Sequence, residues 1–249
     1  MKSFLQLCAA AVALTLGVCG AEPGAKTPAK TPFEQAALAY RQADYPRAAT
    51  LFQQSSVLRP AAGALQNLGN AEWLSGHAGP AILAWEQALW IDPRNDAARA
   101  NLRFARQQAE IEEPHLAWFE ICSTWVPFNT WAWLAGATLT LSITLILLPS
   151  VFRWRKADWQ QALAAAAFAV FLLSLPGVAG VHTRSQLGFI QPKEAPLRLT
   201  PTREAQWVAR LPSGEPARLE RERGDYLFVR TRHAEGWVLR SEFAAIGQP

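Results

Sequence analysis

Charge is scarce in this sequence, and it is missing in blocks. Asp, Glu, Lys and Arg make up 18% of the 249 residues, against about a quarter in an ordinary soluble domain. None occurs from Ser3 to Ala21, from Ile121 to Phe152 or from Trp159 to Thr183. These gaps exclude a single soluble globule and a single large enzyme fold. Cysteine is scarcer still. Cys8 and Cys19 lie in the first gap, which leaves Cys122 with no internal disulfide partner and no metal-ligand neighbour. The four histidines, at 77, 115, 182 and 233, are far apart, and no His-x-x-x-His, Cys-x-x-Cys, Gly-x-Ser-x-Gly or phosphate-loop pattern occurs. Glu112 with Glu113, and Glu220 with Glu222, read as a solvated helix end and strand face. Stretches this small leave little room for the pocket that tuned acid–base chemistry needs. The reading is therefore of no enzyme, no cofactor and no metal.

What remains are two soluble modules tied to a membrane, each the size of a small domain. The net charge of +4 divides among them. Residues 22–128 are slightly acidic and residues 182–249 slightly basic, and neither has the dense positive face that nucleic acid requires.

Met1-Lys2, the apolar stretch Phe4–Val18 and the small residues up to Ala21 have the form of a secretory signal peptide over 1–21. Leu16 also fits a lipoprotein motif with Cys19 as the acylated residue, although Val18 is large for that motif. Pro23, Pro28 and Pro32 mark an extended linker over 22–32. Residues 130–152 and 159–181 each match the ~20 residues that a ~30 Å hydrocarbon core needs. Arg153, Arg155 and Lys156 occupy the short turn 153–158, whereas Glu110, Glu112, Glu113 and Glu120 precede the first span. The positive-inside rule places that turn in the cytoplasm and both soluble modules outside. Trp118, Trp125, Trp131, Trp133, Trp154 and Trp159 crowd the span ends as an interfacial belt would. Ala132, Gly136 and Thr140, and Ala162, Ala166 and Val170, form small-residue stripes expected to pack the two spans together. Neither span holds an ionisable residue suited to an ion path.

Residues 33–113 carry a helical repeat. Asp44-Tyr45-Pro46 through Pro60 returns about 33 residues later as Ala78-Gly79-Pro80 through Pro93. Asn67-Leu68-Gly69-Asn70-Ala71, Gly76, Ala81, Trp85, Ala88, Leu89 and Asp92-Pro93 fit the tetratricopeptide pattern, and Tyr40, Tyr45, Ala48, Phe52 and Pro60 echo it. Ala36 and Ser55 depart from it. Small residues admit neighbouring helices while Trp85 and Tyr45 fill the gaps. Asn95–Glu113, with Ala98, Leu102 and Ala105 on its apolar side, reads as a capping helix. The concave face of such a stack comes from Tyr40, Arg41, Gln66, Asn70 and Trp73, which are the candidate protein-binding residues. A clamp for a terminal carboxylate is not supported. Asn67 fits one clamp position, but Phe33, Ala37, Ala97 and Asn101 leave the others without a cation.

Residues 195–247 read as short strands with turns every 8–12 residues. Leu197-Arg198-Leu199, the Pro212-Ser213-Gly214-Glu215 turn, Gly224-Asp225-Tyr226 and Gly236-Trp237-Val238 resemble a bacterial SH3 domain, with Trp237 in the core or at its edge. The predicted class is thus a multi-domain membrane protein: an all-α tetratricopeptide solenoid, a two-helix transmembrane hairpin and a small all-β SH3-like barrel.

This order of modules resembles the Bat-type membrane proteins of bacterial aerotolerance operons, in particular the repeat-bearing BatE-like members. The resemblance implies an inner-membrane scaffold in an envelope complex with von Willebrand-type membrane partners and a MoxR-type ATPase. An alternative expectation is a cell-wall anchor in which the SH3 domain holds peptidoglycan.

Overall fold

The computed structural model describes residues 31–151 and 158–247. The expected signal peptide, most of the linker and nearly all of the turn between the spans lie outside them. The last two linker positions belong to a helix start. Thr31 caps Pro32–Arg41 (α1) in a reciprocal pair with Glu34, with distances of 3.3 and 2.9 Å. Pro32 sits at N1, where its missing N–H costs nothing.

Four more helices follow: Tyr45–Leu58 (α2), Ala62–Leu74 (α3), Ala78–Ile91 (α4) and Asp96–Gln108 (α5). Consecutive helices pack side by side, and the two turns within the pairs share one geometry. Asp44 N–H donates to Ala39 C=O at 3.0 Å, and His77 N–H donates to Glu72 C=O at 2.9 Å. Ala43 and Gly76 occupy the same left-handed position, at φ 59° and 84°. Glycine takes that conformation freely, whereas alanine is strained there. Ala36, Ala48, Phe52, Leu65, Leu68, Ala81, Trp85, Ala98 and Leu102 form one buried core. Gly69 is the tightest point: a Cβ there would lie 2.5 Å from Trp85 Nε1.

The capping helix ends at Gln108 rather than Glu113. A short helix not anticipated from the sequence, Trp118–Ser123 (α6), then leads into Phe128–Val151 (α7) and Asp158–Arg184 (α8). Both long helices are apolar enough to cross a membrane, and only 11% and 22% of their most apolar stretches are buried against the rest of the chain. A soluble core helix would be mostly buried. They pack against each other, but not through the expected stripes. Ala132, Gly136, Thr140, Ala162, Ala166 and Val170 are all exposed. The contact is made by Trp131 lying on Gly177, by the buried Ala164 and Ala167, and by Ser142 donating to Ala164 C=O at 3.0 Å. A large ring filling a glycine notch buries more area than two rows of small residues, so it sets the rotation of the pair.

Seven antiparallel strands complete the chain: Leu187–Ile190 (β1), Glu194–Arg198 (β2), Trp207–Pro212 (β3), Pro216–Arg223 (β4), Tyr226–Arg230 (β5), Glu235–Leu239 (β6) and Phe243–Ala245 (β7). Alternation places Ala195, Leu197, Leu227, Val229 and Val238 in a common core. The sheet starts at Leu187, earlier than residue 195. Its order is β3-β2-β6-β5-β4-β1-β7, with β3 and β7 as unpaired edges, so the expected barrel does not close. The physical reason lies in what covers it. Leu187, Phe189 and Ile246 enter the helical core rather than the sheet's own, so packing on helices replaces the burial that closure would supply.

The soluble modules are therefore not beads on a string. Gly79 N–H at the start of α4 donates to Ser213 Oγ at 2.8 Å. Gly214, at φ 83°, fits under Ile82 and Ile111, where a Cβ would lie 2.5 Å from Ile82 Cδ1. Glycine is required there for both conformation and space.

Candidate functional site

The five candidate groove residues lie on α1 and α3. Tyr40 is half-buried at the end of α1, edge-on to Tyr45 with ring centroids 5.4 Å apart. Burial, reinforced by Tyr45, pushes its phenol above the ordinary tyrosine range. Arg41 beside it is exposed, and Gln66 is half-buried. Asn70 is committed inward: its Oδ1 accepts from Trp85 Nε1 at 3.1 Å and from Asn101 Nδ2 at 2.7 Å, tying α3 to α4 and α5. Trp73 is held between Trp85 and Phe104, with centroids 6.1 and 6.0 Å away. Asn70 and Trp73 thus share one cluster. Among the described residues no ring contact joins Trp73 to Tyr40. Phe104, 56% exposed on α5, is the aromatic that sequence reasoning missed. Its signal was available: it lies on the polar side of an otherwise strongly amphipathic capping helix.

A second constellation, also missed, joins the helical stack, the ends of the two long apolar helices and the sheet. Glu120 on α6 is 2% exposed. It accepts two bonds from Arg218 on β4, at 2.7 and 3.1 Å, and one from Ala117 N–H at 2.8 Å. Arg218 also donates to Thr183 C=O near the end of α8, at 3.2 Å. Burial by itself would raise the Glu120 carboxyl. The Arg218 fork, with Ala117 N–H and Thr183, outweighs burial and holds it below the usual carboxylate range.

Next to this pair, Arg184 closes α8. It covers the Trp90 ring at 5.1 Å and donates to Ser123 Oγ at 3.3 Å. Trp90 in turn stacks on Phe128, the first residue of α7, at 5.5 Å. Arg106 and Glu86 form a buried ion pair at 2.5 Å between α5 and α4. Further out, Arg232 bonds Glu112 at 2.7 Å. That bond holds the Glu112 carboxyl low against the smaller effect of desolvation. Glu112 is exposed as expected, but it is not a bare solvated end. It ties the chain after α5 to the sheet. Glu215 nearby is pushed up by burial, with Glu112 adding to the shift.

The free edge β3 is also exposed and apolar: Trp207 and Val208 are 56% and 49% accessible, and Leu199, just past the end of β2, is 62% accessible. Trp237, by contrast, is half-buried against Phe228 at 5.2 Å, at the core edge as expected. Among the described residues no three His, Cys, Asp or Glu side chains gather as a metal site would require. Compared with known protein families the chain matches none, and no curated protein matches it.

Proposed function

We propose that the chain is a non-enzymatic inner-membrane scaffold that presents a tetratricopeptide-type helical stack and an SH3-like sheet on the periplasmic side. On this reading it belongs to an envelope complex of the kind its resemblance to the Bat-type proteins implies, with von Willebrand-type membrane proteins as partners. The observation that carries the reading is the interlock around Glu120. A scaffold has to hold its binding face at a fixed angle to the membrane. Here one buried carboxylate joins α6, the end of α8 and the sheet through Arg218, while Arg41 and Phe104 are exposed on the helices beside the half-buried Tyr40 and Trp73. Aromatics and arginine are the residue types that dominate binding energy at protein interfaces.

The exposed edge at Trp207 favours a second reading, an anchor that holds peptidoglycan through the sheet. Arg210 stacked 5.1 Å over Trp207 gives that edge a combined cationic and aromatic surface. Photo-crosslinking residues placed singly at Arg41, Phe104 and Trp207 in cells separate the two. The scaffold reading expects membrane-protein adducts from Arg41 and Phe104. Glycan or stem-peptide adducts from Trp207, with none from the helical positions, would replace it with the anchor.

A further inference from the structure

A cavity of about 320 Å³ opens at the membrane end of the helical stack, between α4, α5, the chain after α5 and the end of α8. Four arginines line it, Arg99, Arg103, Arg106 and Arg184, against Glu86 and Glu113. Two of the four are already matched, Arg106 by Glu86 and Arg99 by Asp96 at 2.8 Å. The other two are not. Arg184 is only 7% exposed; among the described residues its Nε has no partner and its one hydrogen bond is to the Ser123 hydroxyl. Two carboxylates, Glu86 and Glu120, attract it but form no ion pair with it among the described residues, and each is engaged by another arginine. Arg103 is exposed at the rim and forms no ion pair among the described residues.

A buried guanidinium without a counter-ion is costly, and the cost is relieved when an anion enters. The flat fork of arginine suits a tetrahedral oxyanion, which two guanidinium groups can grip from different sides. Position narrows the choice. Arg184 ends one candidate membrane helix, and Trp90 beneath it stacks on the residue that begins the other. On the membrane reading above, the cavity lies at the depth of lipid headgroups. We propose that it binds a phosphate group, with Arg184 as the buried anchor and Arg103 as the rim cation. The phosphate is carried by an anionic lipid or is free in solution.

The two sources are distinguished with the full chain in neutral detergent. Native mass spectrometry counts retained phosphatidylglycerol against phosphatidylcholine, and a parallel titration uses inorganic phosphate. The expected result is selective retention of phosphatidylglycerol, lowered about tenfold by Arg184→Gln and by Arg103→Glu, as loss of one charge-assisted contact implies. Arg223→Gln, exposed at the end of β4 and outside the cavity lining, leaves retention unchanged. Arg103→Glu changes only an exposed rim residue, so it reports on the cavity even if Arg184→Gln fails to fold. Phosphate binding that depends on Arg103 without lipid retention assigns the site to a free anion. If Arg103→Glu alters neither lipid retention nor phosphate binding, the proposal is wrong whatever the fate of the scaffold reading.

Discussion

Replacing Arg218 with alanine tests the interlock where it is most concentrated. The substitution removes both bonds to the buried Glu120 and the bond to Thr183 C=O, leaving the carboxylate only Ala117 N–H and the Thr183 side chain, without a cation. Stranding one partner of a buried pair costs about 3–5 kcal/mol. The Arg218 side chain is 30% exposed, so water can enter the space it leaves, and the lower end, about 3 kcal/mol, applies. For a chain of this size that is a fall of roughly 6–12 °C in melting temperature, measured by circular dichroism in detergent. The pH dependence should also reverse. In the native protein the Glu120 carboxyl is held low, so its contribution is complete above the ordinary carboxylate pKa of about 4.3. It is lost as pH falls through the lower folded value. Without Arg218, burial dominates and the carboxyl rises, so the variant gains stability as pH drops toward 4 while the parent does not. Glu120→Leu combined with Arg218→Leu removes both charges and should recover most of the loss. A melting temperature unchanged by Arg218→Ala would refute the reasoning, because the sheet would then not rest on α6.

Gly69→Leu should cost about 3 kcal/mol or more, since Trp85 leaves no room even for a Cβ; thermal melting of the full chain checks it. In the spans, Gly177→Leu should destabilise by roughly 1–3 kcal/mol against Trp131, whereas Gly136→Leu should be nearly neutral because nothing lies within 4 Å of its Cβ position. Equal effects of the two would restore the small-residue stripe as the contact. Alkaline phosphatase fused at Gln108 or after the last residue should be active, and a fusion at Lys156 inactive. Activity at Lys156 would invert the orientation.

The parts legible in the sequence are those that local pattern decides. Gly69, Ala81 and Trp85 stood out because close helix packing requires small residues opposite a large one, and Trp85 does lie on Gly69. The pattern of short strands and turns located Leu197, Trp237 and Val238 in the sheet. The two long apolar helices announced themselves by the absence of charge. What was hidden depends on contacts between distant segments. Glu120 sits in an acidic approach whose bulk charge indicated topology, and nothing local distinguishes it from Glu112 as the carboxylate that Arg218 will bury. Gly79 and Ile82 satisfy the helical repeat equally well whether they face solvent or a sheet. The small stripes misled because a row of Ala and Gly permits close packing without demanding it, whereas a tryptophan opposite a glycine fixes the rotation. At the groove, Asn70 looked free because a polar residue beside a tryptophan suits a peptide site. Its partner Asn101 lies on another helix, at a spacing that only the completed stack reveals.

The central claim is that the helical stack and the sheet form one locked body. The most direct measurement uses the exposed pair Arg232 and Glu112, 2.7 Å apart although 120 residues separate them in the chain. An Arg232→Lys variant in native membranes is treated with a zero-length carbodiimide and mapped by peptide mass spectrometry. A locked body predicts one dominant intramolecular link between position 232 and Glu112. No link, or links spread without preference over Glu110, Glu112 and Glu113, would contradict it and return the modules to independent motion on a tether.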